Sequence, residues 1–154
     1  MLSRTHAAFA IFLAFFSLNF FEASNVLAFL FFTAFFSLLP DIDEHNSFIG
    51  KRARPVSNII ELIFRHRGLL HTLYVPIIFS LVFFIFNKKI LVATVLIGYL
   101  SHLSLDALTP AGIAPLQPLL KFKIKFFIKT GSIIEFLLFL AFLALDLVAI
   151  VTYI

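Results

Sequence analysis

Histidine and aspartate side chains interrupt an otherwise apolar chain. Metal centres in proteins are commonly built from such imidazole and carboxylate ligands. These side chains occur near the start of the chain, in LPDID at 39–43, in HRGLLHT at 66–72 and in SHLSLD at 101–106. The candidate metal ligands are four histidines and three aspartates: His6, Asp41, Asp43, His66, His71, His102 and Asp106. Because such side chains are costly inside a membrane, their presence between apolar segments predicts a functional site.

The number and type of these donors predict the kind of metal centre. Seven candidates exceed the four positions of one tetrahedral zinc ion, so we expect two or more divalent ions. A pair of ions can activate water for attack on a phosphate ester. The chain has no cysteine, which excludes thiolate ligands. Zinc is our first choice for imidazole and carboxylate donors, and manganese or iron would fit the same set.

Each motif also has an explanation without a metal. His102 and Asp106 are four residues apart on one helix face and could form a hydrogen-bonded pair in a helix bundle. Asp41 and Asp43 could belong to a surface turn, and the histidines could simply lie at the membrane interface. The metal interpretation is favoured because separate segments each bring a donor to the same predicted side of the membrane.

Five further assignments concern catalysis and substrate binding. The candidate catalytic residues are Asp43, Asp106 and Glu135. Glu135 has a second explanation, because Ser132 and Glu135 form the S-x-x-E pattern of a helix capping box. Arg52 and Arg67 are candidates for bidentate binding of a substrate phosphate. Positive charges that only set the membrane topology would look the same in the sequence.

Composition predicts an integral membrane protein, since 62% of the 154 residues are hydrophobic and 23 are phenylalanine. We predict one all-α domain over 1–154, a compact bundle of about five (four or five) transmembrane helices with the polar site at its rim. The predicted membrane segments are 5–21, 26–39, 69–86, 90–108 and 133–154. The second segment is short for a full crossing, so it could be tilted or re-entrant.

Two surface elements and the topology complete the prediction. The apolar spacing after Pro55 predicts a short interfacial helix to about residue 64, and alternation in LKFKIKFF at 120–127 predicts a short strand or hairpin arm at the surface. With five crossings, ten positive residues face the side of the motifs and two face the other side, which places the site on the cytoplasmic face. The ten are Arg4, Lys51, Arg52, Arg54, Arg65, Arg67, Lys121, Lys123, Lys125 and Lys129, against Lys88 and Lys89.

Taken in order, the motifs resemble the YdjM-like family of inner-membrane proteins, which are described as metal-dependent hydrolases. The stretches that carry the resemblance are TH at 5–6, LPDIDEHNSFIGKR at 39–52, HRGLLHTL at 66–73, GYLSHLSLDALTPAGIAPL at 98–116 and, more weakly, GSIIE at 131–135. One difference is Glu44-His45 where the family more often has His-Pro. The family is distantly similar to zinc-dependent phospholipase C, and this resemblance implies that the seven donors are metal ligands.

The sequence therefore predicts a membrane hydrolase, most specifically a phosphohydrolase that acts on a lipid-borne phosphoester through metal-activated water. Two other functions stay open: a metal-ion transporter, and a structural or regulatory membrane subunit whose metal ties helices together. We expect membrane lipid as the environment and a candidate substrate, and no nucleic acid partner. The sequence leaves the oligomeric state open.

Overall fold

Five α-helices and two 3₁₀ helices form the described part of the computed structural model, which comprises residues 1–20, 22–44, 47–55, 58, 68–120 and 122–153. The α-helices are α1 (Ser3–Ser17), α2 (Val26–Leu38), α3 (Tyr74–Ile85), α4 (Lys89–Ala107) and α5 (Ile133–Tyr153). The 3₁₀ helices are Leu39–Asp43 and Leu69–His71. The prediction of an all-α membrane protein is confirmed.

The second segment is longer than the sequence suggested. Asn25 caps the start of α2 by accepting a hydrogen bond from the amide of Ala28 at 2.9 Å. The α-helix ends at Leu38, but the 3₁₀ helix continues it, so that Val26–Asp43 forms one apolar stretch of 18 residues. Pro40 lies at the start of the 3₁₀ helix, where a missing amide hydrogen is tolerated. LPDID is thus helical.

Three helical stretches within the described residues are long and apolar enough to cross a membrane: Val26–Asp43, Lys89–Ala107 and Ile133–Tyr153. The first and third predicted segments are shorter than expected, because α1 has 15 residues and α3 has 12. Both fall below the roughly 17 residues of a full span. α1 ends when the amide of Leu18 bonds to the carbonyls of Ala14 and Phe15, which tightens its last turn.

Close packing between α2 and α4 forms the centre of the bundle. A Cβ atom on Gly98 would lie 2.4 Å from the carbonyl oxygen of Thr33, so only glycine allows the two backbones to approach this closely. α4 also packs against α1 and α3, while α1 packs against α2 and α5. Helix α4 is therefore in contact with three of the other four α-helices.

Alternating helix directions bring the motif-bearing ends together. The starts of α1, α3 and α5 and the ends of α2 and α4 lie at one end of the bundle, which we call the polar end. At the opposite end the Tyr153 hydroxyl donates to the side chain of Asn19 at 2.8 Å. As predicted, the motif residues that the structure describes lie together at one end of the bundle.

The segment between α4 and α5 lies over the polar end. The predicted strand is reduced to one antiparallel bridge between Ile113 and Ile124, and the described residues contain no longer strand. The amide of Leu73 donates to the carbonyl of Pro115 at 2.9 Å, which ties this segment to the start of α3. Most of the predicted interfacial helix at 55–64 lies outside the described residues.

Candidate metal centre

His102 lies at the middle of the polar cluster, one turn before the end of α4. Its Nδ1 is 2.7 Å from the carbonyl oxygen of Ser37. Ser37 is in the last turn of α2, where carbonyl groups lack partners within the helix. Since a carbonyl can only accept, Nδ1 carries the hydrogen and Nε2 has the lone pair. This contact therefore presents Nε2 of a fully buried histidine as a metal donor.

Three other donors lie close to Nε2 of His102. The distances are 3.3 Å to Nε2 of His71, 3.6 Å to Oδ1 of Asp41 and 3.8 Å to Oδ2 of Asp106. The described residues contain two groups whose donor atoms all lie within 4.8 Å of one another: His6, Asp41 and His102, and His71, His102 and Asp106. The two groups share His102, and both could hold a metal ion.

His6 provides a test of whether a metal fits this cluster. Its ring stacks on that of His102 with centroids 3.9 Å apart, and its Nε2 is 3.4 Å from Oδ1 of Asp106. The imidazole is fully buried, and neither ring nitrogen has a hydrogen-bond partner within the described structure. An unsatisfied buried polar group is costly. Because a metal ion would use such a nitrogen, the residues fit a metal centre.

Asp106 faces both groups through its two oxygens. Oδ1 is directed to His6 and also accepts from the amino nitrogen of Met1 at 2.5 Å, while Oδ2 lies 3.7 Å from Nε2 of His71. The carboxylate stands near the end of α4, where the helix dipole disfavours a negative charge. A metal ion bound by these donors would offset this cost.

Asp43 occupies a different position from Asp41, although both come from LPDID. Its Oδ2 is 3.3 Å from Nδ1 of His71, the ring nitrogen that faces away from His102. Asp43 belongs to neither of the donor groups found among the described residues. A carboxylate behind a ligating histidine orients the ring and raises its basicity. His71 itself lies in the short 3₁₀ helix and not, as predicted, in the first turn of the third segment.

Glu135 is near the cluster end of the bundle but is engaged in another contact. Its carboxylate accepts from the amide of Leu2 at 2.6 Å and from the amide of Gly131 at 2.5 Å. Its own amide donates a 3.3 Å hydrogen bond to the Ser132 hydroxyl, which is half of the predicted capping box. Glu135 therefore joins the start of α1 to the start of α5, and it belongs to neither donor group of the described residues.

Comparison with known proteins identifies the family. The family described as YdjM inner membrane protein matches residues 1–154.

The chain belongs to the YdjM family.

Inner membrane protein YdjM of Escherichia coli (strain K12) is 38% identical over 87 residues, which are 53% of this chain and 44% of that protein. The protein of the same name in Shigella flexneri gives the same values. Uncharacterized protein YvsG of Bacillus subtilis (strain 168) is 36% identical over 101 residues, covering 64% of this chain and 63% of that protein. The match thus spans less than half of the two YdjM proteins. No solved structure matches significantly.

The remaining predicted residues of this YdjM-family protein lie outside the cluster or outside the described structure. Arg52 is exposed, and its Nη1 donates to the carbonyl of Phe48 at 3.0 Å. His66 and Arg67 lie outside the described residues, so their assignments as ligand and phosphate-binding residue stay predictions.

Sequence reasoning missed Ser37, which acts through its backbone carbonyl. The only signal for it was the helix end expected before Pro40, because any residue type can supply a carbonyl at that position.

Proposed function

We propose that this membrane protein of the YdjM family is a metal-dependent phosphohydrolase acting on a lipid-borne phosphoester. The observation that carries the proposal is the pair of donor groups that share His102, all of whose members are buried except the partly exposed Asp41. Both combine imidazole with carboxylate, and they meet at one end of an apolar helix bundle. Structural zinc sites are built mainly from cysteine, whereas catalytic zinc sites commonly combine histidine with carboxylate.

Each residue in the cluster has a defined part in this proposal. His6, His71 and His102 would bind metal through nitrogen, and Asp41 and Asp106 through oxygen. A divalent cation held there supplies Lewis-acid activation of water and of a phosphoryl oxygen. Ser37 keeps the proton of His102 on Nδ1, and Asp43 is placed to do the same for His71. The chain thereby leaves Nε2 of both rings available as donors.

A lipid substrate is supported by where the cluster lies. Val26–Asp43 and Lys89–Ala107 are apolar enough to span a membrane, and Asp41 and Asp106 lie near the ends of these stretches. We place these ends at the cytoplasmic face, where positive residues collect in membrane proteins. A phosphoester in the headgroup layer would reach such a site without leaving the membrane. Binding and orienting the substrate beside the donors would then be the main task of the protein.

The direct test measures hydrolysis by the purified protein. We would load it in turn with zinc and manganese and supply phospholipids carrying phosphomonoesters or phosphodiesters, recording released phosphate or headgroup. Activity should disappear with a chelator and in His102→Ala and Asp106→Asn. Asp146→Asn is the matched control, because this carboxylate lies about 16 Å along α5 from Glu135 and outside both donor groups. Failure of every metal to support hydrolysis, or full activity in His102→Ala, would refute the proposal.

A structural metal is the second candidate, and one observation favours it. The donors come from α1, α4 and both 3₁₀ helices, so an ion would tie together elements that are distant in the sequence. If the metal is structural, the wild-type protein binds it without hydrolysing any ester, and His102→Ala fails to accumulate. A transporter is less well supported, because the donor groups found in the described residues gather at one end of the bundle.

A further inference from the structure

An apolar groove with a volume of about 410 Å³ runs between α2 and the turn formed by residues 47–53. One wall consists of Phe31, Ala34, Phe35 and Leu38, which are spaced along a single face of α2. Phe48 and Ile49 of the turn form the other wall. The volume lies within the range of small-molecule pockets. Since α2 rises about 1.5 Å per residue, this wall is roughly 10 Å long, enough for part of an acyl chain.

Among the described residues that line the groove, Arg52 carries a positive charge and lies on the turn side. The guanidinium carbon of Arg52 lies 3.8 Å from the ring centroid of Phe48, and Nη1 donates to the carbonyl of the same residue. These contacts hold the side chain against the groove wall. A guanidinium has five N–H donors and this bond uses one, so others can meet a phosphate. The neighbouring side chains of Lys51 and Arg54 are exposed and add positive charge.

The turn is attached to the metal centre through Asp41. The hydroxyl of Ser47 donates to the carbonyl of Asp41 at 2.6 Å and accepts from the amide of Gly50 at 2.9 Å. A Cβ atom on Gly50 would lie 2.1 Å from the carbonyl oxygen of Glu44, so the turn closes tightly on the residues that follow Asp41. The groove wall and a donor carboxylate thus belong to one hydrogen-bonded unit.

We propose that this groove binds an acyl chain of an anionic membrane phospholipid and that Arg52 binds the phosphate of the same molecule. The apolar walls and the guanidinium of Arg52 match the two chemical halves of such a lipid. An apolar helix face alone would indicate only contact with bulk lipid, whereas a concave face closed by a cationic turn fixes tail and phosphate relative to each other. The inference rests on the proposed function for its link to the metal centre, but binding requires no hydrolysis.

The test measures lipid binding without added metal. Detergent-solubilised protein would be titrated with dihexanoyl phosphatidylglycerol and, separately, with dihexanoyl phosphatidylcholine, and bound lipid would be counted by native mass spectrometry. The wild type should prefer phosphatidylglycerol. Ala34→Trp places an indole in the groove and should weaken binding of both lipids at least tenfold. Ala144→Trp adds the same group to an exposed position of α5 and should leave binding unchanged.

Arg52→Gln tests the phosphate contact on an exposed turn where folding is not at risk. It should weaken binding of both lipids, because both carry the phosphate, and it should weaken phosphatidylglycerol more, because choline partly neutralises the phosphate of phosphatidylcholine. The preference for phosphatidylglycerol should therefore shrink. Wild-type binding by Ala34→Trp, or an unchanged lipid preference in Arg52→Gln, would overturn the inference. Asp106→Asn should bind lipid normally. A protein that binds lipid in this way but hydrolyses no phosphoester would refute the proposed function alone.

Discussion

Asp41 and Asp43 offer the sharpest test of the site geometry, because they are identical side chains two residues apart that face different nitrogens of the His71 ring. Oδ1 of Asp41 faces Nε2 of His102, inside a donor group, whereas Oδ2 of Asp43 faces Nδ1 of His71 from behind. Asp41→Asn and Asp43→Asn make the same chemical change, so each serves as the control for the other. We expect them to have different effects on metal binding.

The expected magnitudes follow from these positions. Loss of a carboxylate that orients a ligating histidine typically costs about 10- to 100-fold in metal affinity. This corresponds to about 1.4 to 2.8 kcal/mol for Asp43→Asn. An asparagine there keeps an oxygen near Nδ1 of His71 but lacks the charge that attracts its hydrogen. Asp41→Asn removes an anionic donor from the group with His6 and His102, so it should lower the number of ions bound as well as their affinity.

The assay is a competition titration against a chromophoric chelator in detergent, combined with elemental analysis of the metal that stays bound. Asp43→Asn should bind the wild-type number of ions more weakly, and Asp41→Asn should bind fewer. The visible spectrum of the cobalt-loaded protein adds a readout of the ligand set, which should persist in Asp43→Asn. Equal losses in the two variants, or loss of ions only in Asp43→Asn, would refute the distinction between donor and orienting carboxylate.

Three further predictions concern stability, all measured by thermal unfolding in detergent. Glu135→Ala leaves the amides of Leu2 and Gly131 without their acceptor and should destabilise the fold by about 1 to 3 kcal/mol. An unchanged melting temperature would show that these hydrogen bonds contribute nothing to stability. Gly98→Ala should lower stability by about 1 to 3 kcal/mol, because the added Cβ would clash with the backbone of α2. Wild-type stability in this variant would contradict the close approach of the two helices. Asp146→Leu should raise the melting temperature, because Oδ1 of this buried carboxylate has no hydrogen-bond partner among the described residues. A lower melting temperature would imply a partner outside them.

The sequence by itself determined the class of protein, the approximate helices and the chemistry of the centre. Apolar length is a local property, and a chain in lipid must satisfy its backbone hydrogen bonds within helices. The predicted segments 26–39, 90–108 and 133–154 therefore lie close to the helices observed. The donors of the cluster were also readable, because histidine and aspartate stand out where water is scarce.

The tertiary structure decided which of these polar residues act together and in which role. Residues two apart in a helix do not share a face, so the 3₁₀ helix through LPDID directs Asp41 and Asp43 to different sides of the His71 ring. The hydrogen-bond acceptor of His102 is a backbone carbonyl 65 residues earlier in the chain, and Glu135 binds an amide 133 residues away. Such contacts depend on how the helices pack, because residues far apart in the chain meet only when the bundle is assembled. The sequence pattern of a single segment therefore cannot specify them.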